Sequence, residues 1–143
     1  MTQPDLRPIK KGKYVLHEEW GYLWTKDDIT RVIIIPRGFV SDGASAPRIL
    51  WTCTGITPDG LIRGAALAHD FLYKHGGVLP ENSYQQLALY GWVNDNSVWT
   101  RKNADRLFCR IMKESGVGKI KRRLAYRAVR IFGWMFFKKK KKK

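Results

Sequence analysis

The sequence predicts an α+β fold, a small N-terminal antiparallel β-sheet packed with about four C-terminal α-helices. Two observations carry this. Residues 13–40 concentrate β-branched and aromatic side chains in short runs. Beyond residue 60, apolar residues recur every three and four positions between glycine breaks. A chain of 143 residues, 44% of them hydrophobic, supports one core and leaves no room for a second. Residues 1–137 are therefore read as a single domain and 138–143 as a disordered poly-lysine tail.

Tyr14-Val15-Leu16, Trp20 to Thr25 and Arg31 to Ile35 read as strands, the last stopped by Pro36, with a turn at Lys26-Asp27-Asp28. Arg37 to Pro47 follows as a loop, with Asp42-Gly43 as turn chemistry and Ser45 in position to N-cap a short helix through Trp51. Helices are expected near 60–75, 83–91, 101–115 and 119–136, broken at Gly76-Gly77, Gly91 and Gly116-Val117-Gly118, with Thr100 placed to cap the third.

The last of these helices is basic and amphipathic. Ile120, Leu124, Ala128, Ile131 and Met135 share one face, while Arg122, Arg123, Arg127 and Arg130 collect on the other. Two readings stand: the apolar face packs on the domain, or it meets an anionic membrane interface together with Phe132 to Phe137 and the lysines.

Net charge is +15, six of it from Lys138 to Lys143, which leaves +9 on the body. Such an excess favours an anionic partner, whether lipid, cell-envelope polymer or nucleic acid. Trp20, Tyr22 and Trp24 on a basic sheet suit base stacking or core packing equally. Cys53 and Cys109 have no metal-ligand spacing and read as buried thiols in a reducing compartment. The first thirteen residues contain no apolar signal region, and no run approaches a membrane span, so synthesis in the cytoplasm is expected.

The candidate site comes from charge placed where a core is expected. Ile62, Ala65, Ala66, His69, Leu72 and Tyr73 share one helical face, as do Ala104, Asp105, Phe108, Ile111 and Met112. A buried carboxylate or imidazole without a partner costs several kcal/mol on the order of desolvation penalties, so the two helices are expected to pack with His69 against Asp105. Asp105 would fix the tautomer of His69 and leave its second nitrogen to take a proton from water, and Tyr73 can donate to the same carboxylate. The same three residues also make a satisfied polar knot that only fixes helix packing.

Three stretches, Ile35 to Pro47, Ala65 to Tyr73 and Ala104 to Phe108, resemble the signature of a small phage and prophage family catalogued as a domain of unknown function, number 1353. The resemblance spans most of residues 13–133 and implies a bacteriophage context, in which cytoplasmic synthesis means the host cytoplasm and a noncatalytic role means a component of the virion or of an accessory complex. It implies no chemistry.

His69-Asp70-Phe71-Leu72-Tyr73 followed by Ala104-Asp105 is similar to the His-Asp-x-x-Tyr and later Asp of secreted and parvoviral phospholipases of the A-two class. This similarity implies His69 as the general base, Asp70 as a calcium ligand and Asp105 with Tyr73 as the orienting pair. That class supplies further calcium ligands from a glycine-rich carbonyl loop, for which only Ser41 to Ser45, with Asp42 and Gly43, could stand in here. Ser45 with His69 and Asp105 also has the residue types of a nucleophilic triad. The combined expectation is a hydrolase in which His69 activates water, with Ca2+ or another divalent cation held by Asp70 and Asp42. Its target is an ester or amide of a lipid or envelope polymer. The alternative is a noncatalytic basic phage protein that binds an anionic partner.

Overall fold

The computed structural model describes residues 3–10, 13–41 and 62–137. The expectations for Asp42, Gly43, Ser45, the short helix through Trp51, Cys53 and the tail from Lys138 to Lys143 lie outside the described residues.

Strands β1 (Leu6–Lys10) and β2 (Lys13–Leu16) pair antiparallel. β1 was not expected from the sequence. Pro8 weakens its strand signal, but the strand lies at a sheet edge, where a missing N–H is tolerated. β3 (Trp20–Lys26) and β4 (Ile29–Ile35) form the predicted hairpin, joined by Asp27 and Asp28, both at positive φ. Two left-handed residues in a two-residue loop match the right-handed twist of the flanking strands. β5 (Val40–Ser41) pairs with β2 and completes a three-stranded sheet of order β1-β2-β5.

Helix α1 (Arg63–Lys74) follows, then strands β6 (Tyr84–Ala88) and β7 (Gly91–Asn94), helices α2 (Arg101–Glu114) and α3 (Lys119–Phe132), and a 3-10 turn over Gly133–Met135. The described residues thus form an α+β architecture with two antiparallel sheets and three α-helices rather than about four.

The missing helix is the one expected at 83–91, which is instead the β6–β7 hairpin. Gln85, Gln86, Leu87 and Ala88 favour a helix locally, but β4 presents an unpaired edge. Tyr84 lies opposite Ile33, and the Ile34 N–H donates to the Ser83 carbonyl at 2.7 Å. Tertiary strand pairing overrides a weak local preference. Gly91, at φ +128°, serves the hairpin rather than breaking a helix.

The core lies between the second sheet and the helices. Along β3 the pleat buries Trp20, Tyr22 and Trp24 and exposes Gly21, Leu23 and Thr25. The three aromatics are therefore core residues, which removes them as a base-stacking platform. Nearly all of α1 is buried, with Phe71 and Leu72 fully enclosed, each contributing about 1.5–3 kcal/mol of burial. Gly64 lets this helix approach Trp20, since a Cβ there would lie 2.8 Å from the indole. The end of α1 is closed by Gly77, whose N–H donates to the Leu72 carbonyl at 3.1 Å, and the end of α2 by Val117, whose N–H donates to Met112 at 3.0 Å. The Thr100 hydroxyl caps α2 by accepting from the Asn103 N–H at 3.1 Å, as the sequence predicts.

Candidate functional site: a buried carboxylate shared by three helices

Helical spacing puts His69 and Tyr73 one turn apart on α1, and Arg101 and Asp105 one turn apart on α2. Packing of α1 on α2 brings the two pairs together. His69 Nε2 lies 2.8 Å from Asp105 Oδ1, and the Tyr73 hydroxyl donates to the same oxygen at 2.5 Å. The His69 ring sits 4.0 Å from that of Tyr73 and 4.9 Å from that of Phe108, centroid to centroid. These rings fix its orientation.

The other carboxylate oxygen is held from α3. Arg130 Nη1 donates to Asp105 Oδ2 at 2.8 Å, and Arg101 Nη1 stands 3.8 Å from the same atom. Arg101 is used mainly elsewhere, donating to the Val129 and Arg130 carbonyls at 3.1 and 3.0 Å. A cation at these carbonyls complements the negative end of α3. Sequence spacing places Arg101 one turn from Asp105, but it gives no sign of Arg130 as a partner. It placed Arg130 on an outward basic face with Arg122, Arg123 and Arg127. Arg130 turns inward instead, and Arg122 donates to the Val117 carbonyl at 3.2 Å, so Arg123 and Arg127 remain the exposed pair.

Asp105 has no exposed surface, and the His69 side chain is 6% exposed. Burial pushes the Asp105 carboxyl upward, but hydrogen bonds from His69, Tyr73 and Arg130 outweigh it and hold the group below its ordinary value. Tyr73 moves the other way. Burial and the neighbouring carboxylate raise its hydroxyl well above the usual phenol range, so it stays protonated and donating. With a carboxylate facing Nε2, the neutral imidazole carries its proton there. Nδ1 is then the acceptor, and among the described residues it has no hydrogen-bond partner.

Asp70, next to His69 in sequence, is buried and forms an ion pair with Lys74 at 3.7 Å. Lys74 Nζ also donates to the Val40 carbonyl at 2.7 Å, which anchors the end of β5 against α1. Among the described residues no group of three or more His, Cys, Asp or Glu is arranged to hold a metal ion. No described helix is long and apolar enough to cross a membrane. Cys109, the cysteine within the described residues, is a half-buried free thiol.

A separate cleft of about 310 Å³ lies beside β3 and the start of α2, lined in part by Arg31, Tyr84, Trp99, Arg106 and Arg110. It contains no member of the His69 group. The Trp99 indole N–H and Arg110 Nε are buried there without a hydrogen-bond partner. Nothing in the sequence marks this cleft, because its residues come from distant segments with no shared periodicity.

Compared with known proteins, residues 14–129 match the family model described as "Protein of unknown function (DUF1353)". No curated protein and no solved structure matches the chain.

Proposed function

Because the chain belongs to the DUF1353 family, whose description assigns no chemistry, its reaction has to be read from its own residues, and we propose a hydrolase in which His69 activates water. The observation that carries this is the 2.8 Å contact between His69 Nε2 and Asp105 Oδ1, with Nδ1 unpartnered among the described residues. Water attacking an ester or amide carbonyl passes its proton to Nδ1. Asp105 stabilises the imidazolium, which then returns the proton to the leaving group. Tyr73 and Arg130 keep the carboxylate oriented and ionised. The targets proposed are esters or amides of lipid or cell-envelope polymer, encountered in a phage-infected host.

A divalent cation at Asp70 would first have to displace the Lys74 ammonium from that carboxylate. The other expected ligand, Asp42, lies outside the described residues, and no step is routed through a cation.

The test is turnover of a panel of ester, amide and phospholipid substrates by the full chain and by His69→Gln. General-base loss should lower the rate about 10²- to 10⁴-fold with the fold retained. Equal rates in the two proteins, or no turnover of any substrate by the wild type, would reject the hydrolase.

The second reading, a noncatalytic binder of an anionic partner, draws on a different observation. The cleft beside α2 gathers Lys26, Arg31, Arg106 and Arg110 against Asp27, with the Trp99 N–H unsatisfied. In that reading the His69–Asp105 contact only joins helices.

A further inference from the structure

Helix α3 buries the face that its composition does not single out. Ala125, Ala128 and Val129 pack inward, and Gly133 follows them so closely that a Cβ there would collide with the Tyr73 hydroxyl. The expected apolar face, Ile120, Leu124, Ile131 and Met135, is turned outward by about a quarter-turn at 3.6 residues per turn. Ile120 is 77% exposed, Leu124 46%, Ile131 61% and Met135 49%, with Trp134 beside them at 67%. The packed-helix reading is thus corrected: of the five residues assigned to that face, Ala128 alone is buried.

The charge around this stripe has one sign. Exposed Lys119, Lys121, Arg123 and Arg127 flank it. From Ser115 to Lys143 the sequence contains twelve lysines and arginines and no aspartate or glutamate. An aliphatic stripe with a tryptophan near its end and a wholly cationic surround complements one surface well: acyl chains beneath a layer of anionic headgroups.

We propose that the exposed face of α3 and the following turn is a docking surface for an anionic lipid bilayer. Leu124, Ile131, Trp134 and Met135 enter the acyl boundary, and Lys119, Lys121, Arg123 and Arg127 meet the headgroup phosphates. A nucleic acid would satisfy the cations but would leave the aliphatic stripe in water. The proposal goes beyond the hydrolase and does not depend on it, so His69→Gln should bind vesicles as the wild type does.

The experiment is co-sedimentation of the full chain with vesicles of neutral phosphatidylcholine and with vesicles that also contain anionic phosphatidylglycerol. Binding should be at least about tenfold tighter to the anionic vesicles and should weaken with salt. The double variant Leu124→Asp/Ile131→Asp should lose about tenfold or more of that binding, at unchanged circular dichroism because both side chains are already exposed. Arg123→Gln/Arg127→Gln, which leaves the stripe intact, should erase much of the preference for anionic lipid. Brominated lipid should quench tryptophan emission in the wild type and do so less in Trp134→Phe. A chain that binds neither vesicle overturns the proposal. So does one whose vesicle binding survives both aspartates, or one that binds duplex DNA and vesicles alike with only the charge changes mattering.

Discussion

Arg130 and Asp105 stand twenty-five residues apart in sequence and are joined by a 2.8 Å hydrogen bond between Nη1 and Oδ2. This contact makes one carboxylate common to three helices: His69 and Tyr73 reach it from α1, Asp105 supplies it from α2, and Arg130 reaches it from α3. A fully buried charge is tolerated only where each of its oxygens finds donors. Here each does.

Replacing Asp105 by Asn should therefore affect stability as well as activity. It leaves Arg130 beside a neutral amide and should cost about 3 kcal/mol, within the range for breaking a buried pair. If His69 is the base, turnover of the protein that remains folded should also fall by about 10²-fold or more. Urea titration and steady-state assay of the same preparation separate the two effects, and unchanged turnover would leave the dyad a structural contact.

The acid limb of stability should follow Asp105. Its carboxyl lies below the ordinary 3.8 when folded, so its contribution is fully present above that unfolded value and is lost as pH falls through the folded one. The gap in unfolding free energy between wild type and Asp105→Asn should be constant near neutrality and narrow steadily below about pH 4. A gap that widens on acidification would contradict the assignment.

Tyr73→Phe removes one donor from Asp105 Oδ1 while keeping the ring packed on His69 and Phe137. Loss of a hydrogen bond to a charged acceptor should cost about 1.5–3 kcal/mol. The wild type should also lose stability above about pH 10, because folding holds this phenol protonated while the unfolded chain ionises. Tyr73→Phe should lose less over the same range, read by thermal melts in alkaline buffer.

Two glycines provide a controlled comparison of strain and collision. Gly38 and Gly77 both have positive φ, +88° and +82°, but a Cβ on Gly38 meets nothing within 4 Å, whereas one on Gly77 runs into the Trp99 carbonyl. Gly38→Ala should cost about 1–2 kcal/mol from backbone conformation alone. Gly77→Ala should cost clearly more and disturb the approach of residue 99 to the end of α1, visible as a lower melting temperature and altered tryptophan emission.

Deleting Lys138–Lys143 should hardly move the melting temperature, since six consecutive like charges supply long-range attraction and no apolar side chain to pack. Binding to anionic vesicles or nucleic acid should weaken and become less salt-dependent. A truncated chain that unfolds, or that binds both as before, would show that the tail is docked in a specific interface.

What could be read from the sequence was what local patterning records. The alternation of Trp20, Tyr22 and Trp24, the Asp27-Asp28 turn and the Thr100 cap are each encoded within a few residues. His69 against Asp105 was legible because each interrupts an apolar stripe, and two misplaced polar groups on neighbouring helices have few ways to be satisfied. Strands β6 and β7 were not legible, since Gln85 to Ala88 carry no strand preference and pair because β4 needs a neighbour. Arg130 gave no signal because nothing local distinguishes it from Arg127. The rotation of α3 was hidden for a different reason. Hydrophobicity weights Ile120 and Ile131 over Ala125 and Ala128, while close packing against Tyr73 selects the small residues.

The bond from Arg130 also bears on how the molecule opens. A C-terminal helix with large apolar side chains in water would ordinarily fray ahead of the rest and exchange its amide hydrogens early. Here α3 cannot lift without withdrawing the Arg130 cation from a carboxylate that has no exposed surface in the folded protein. Its amides near Val129 should therefore exchange with those of α1 and α2 as one cooperative unit, leaving the first turn after Gly118 as the part of the helix that breathes alone.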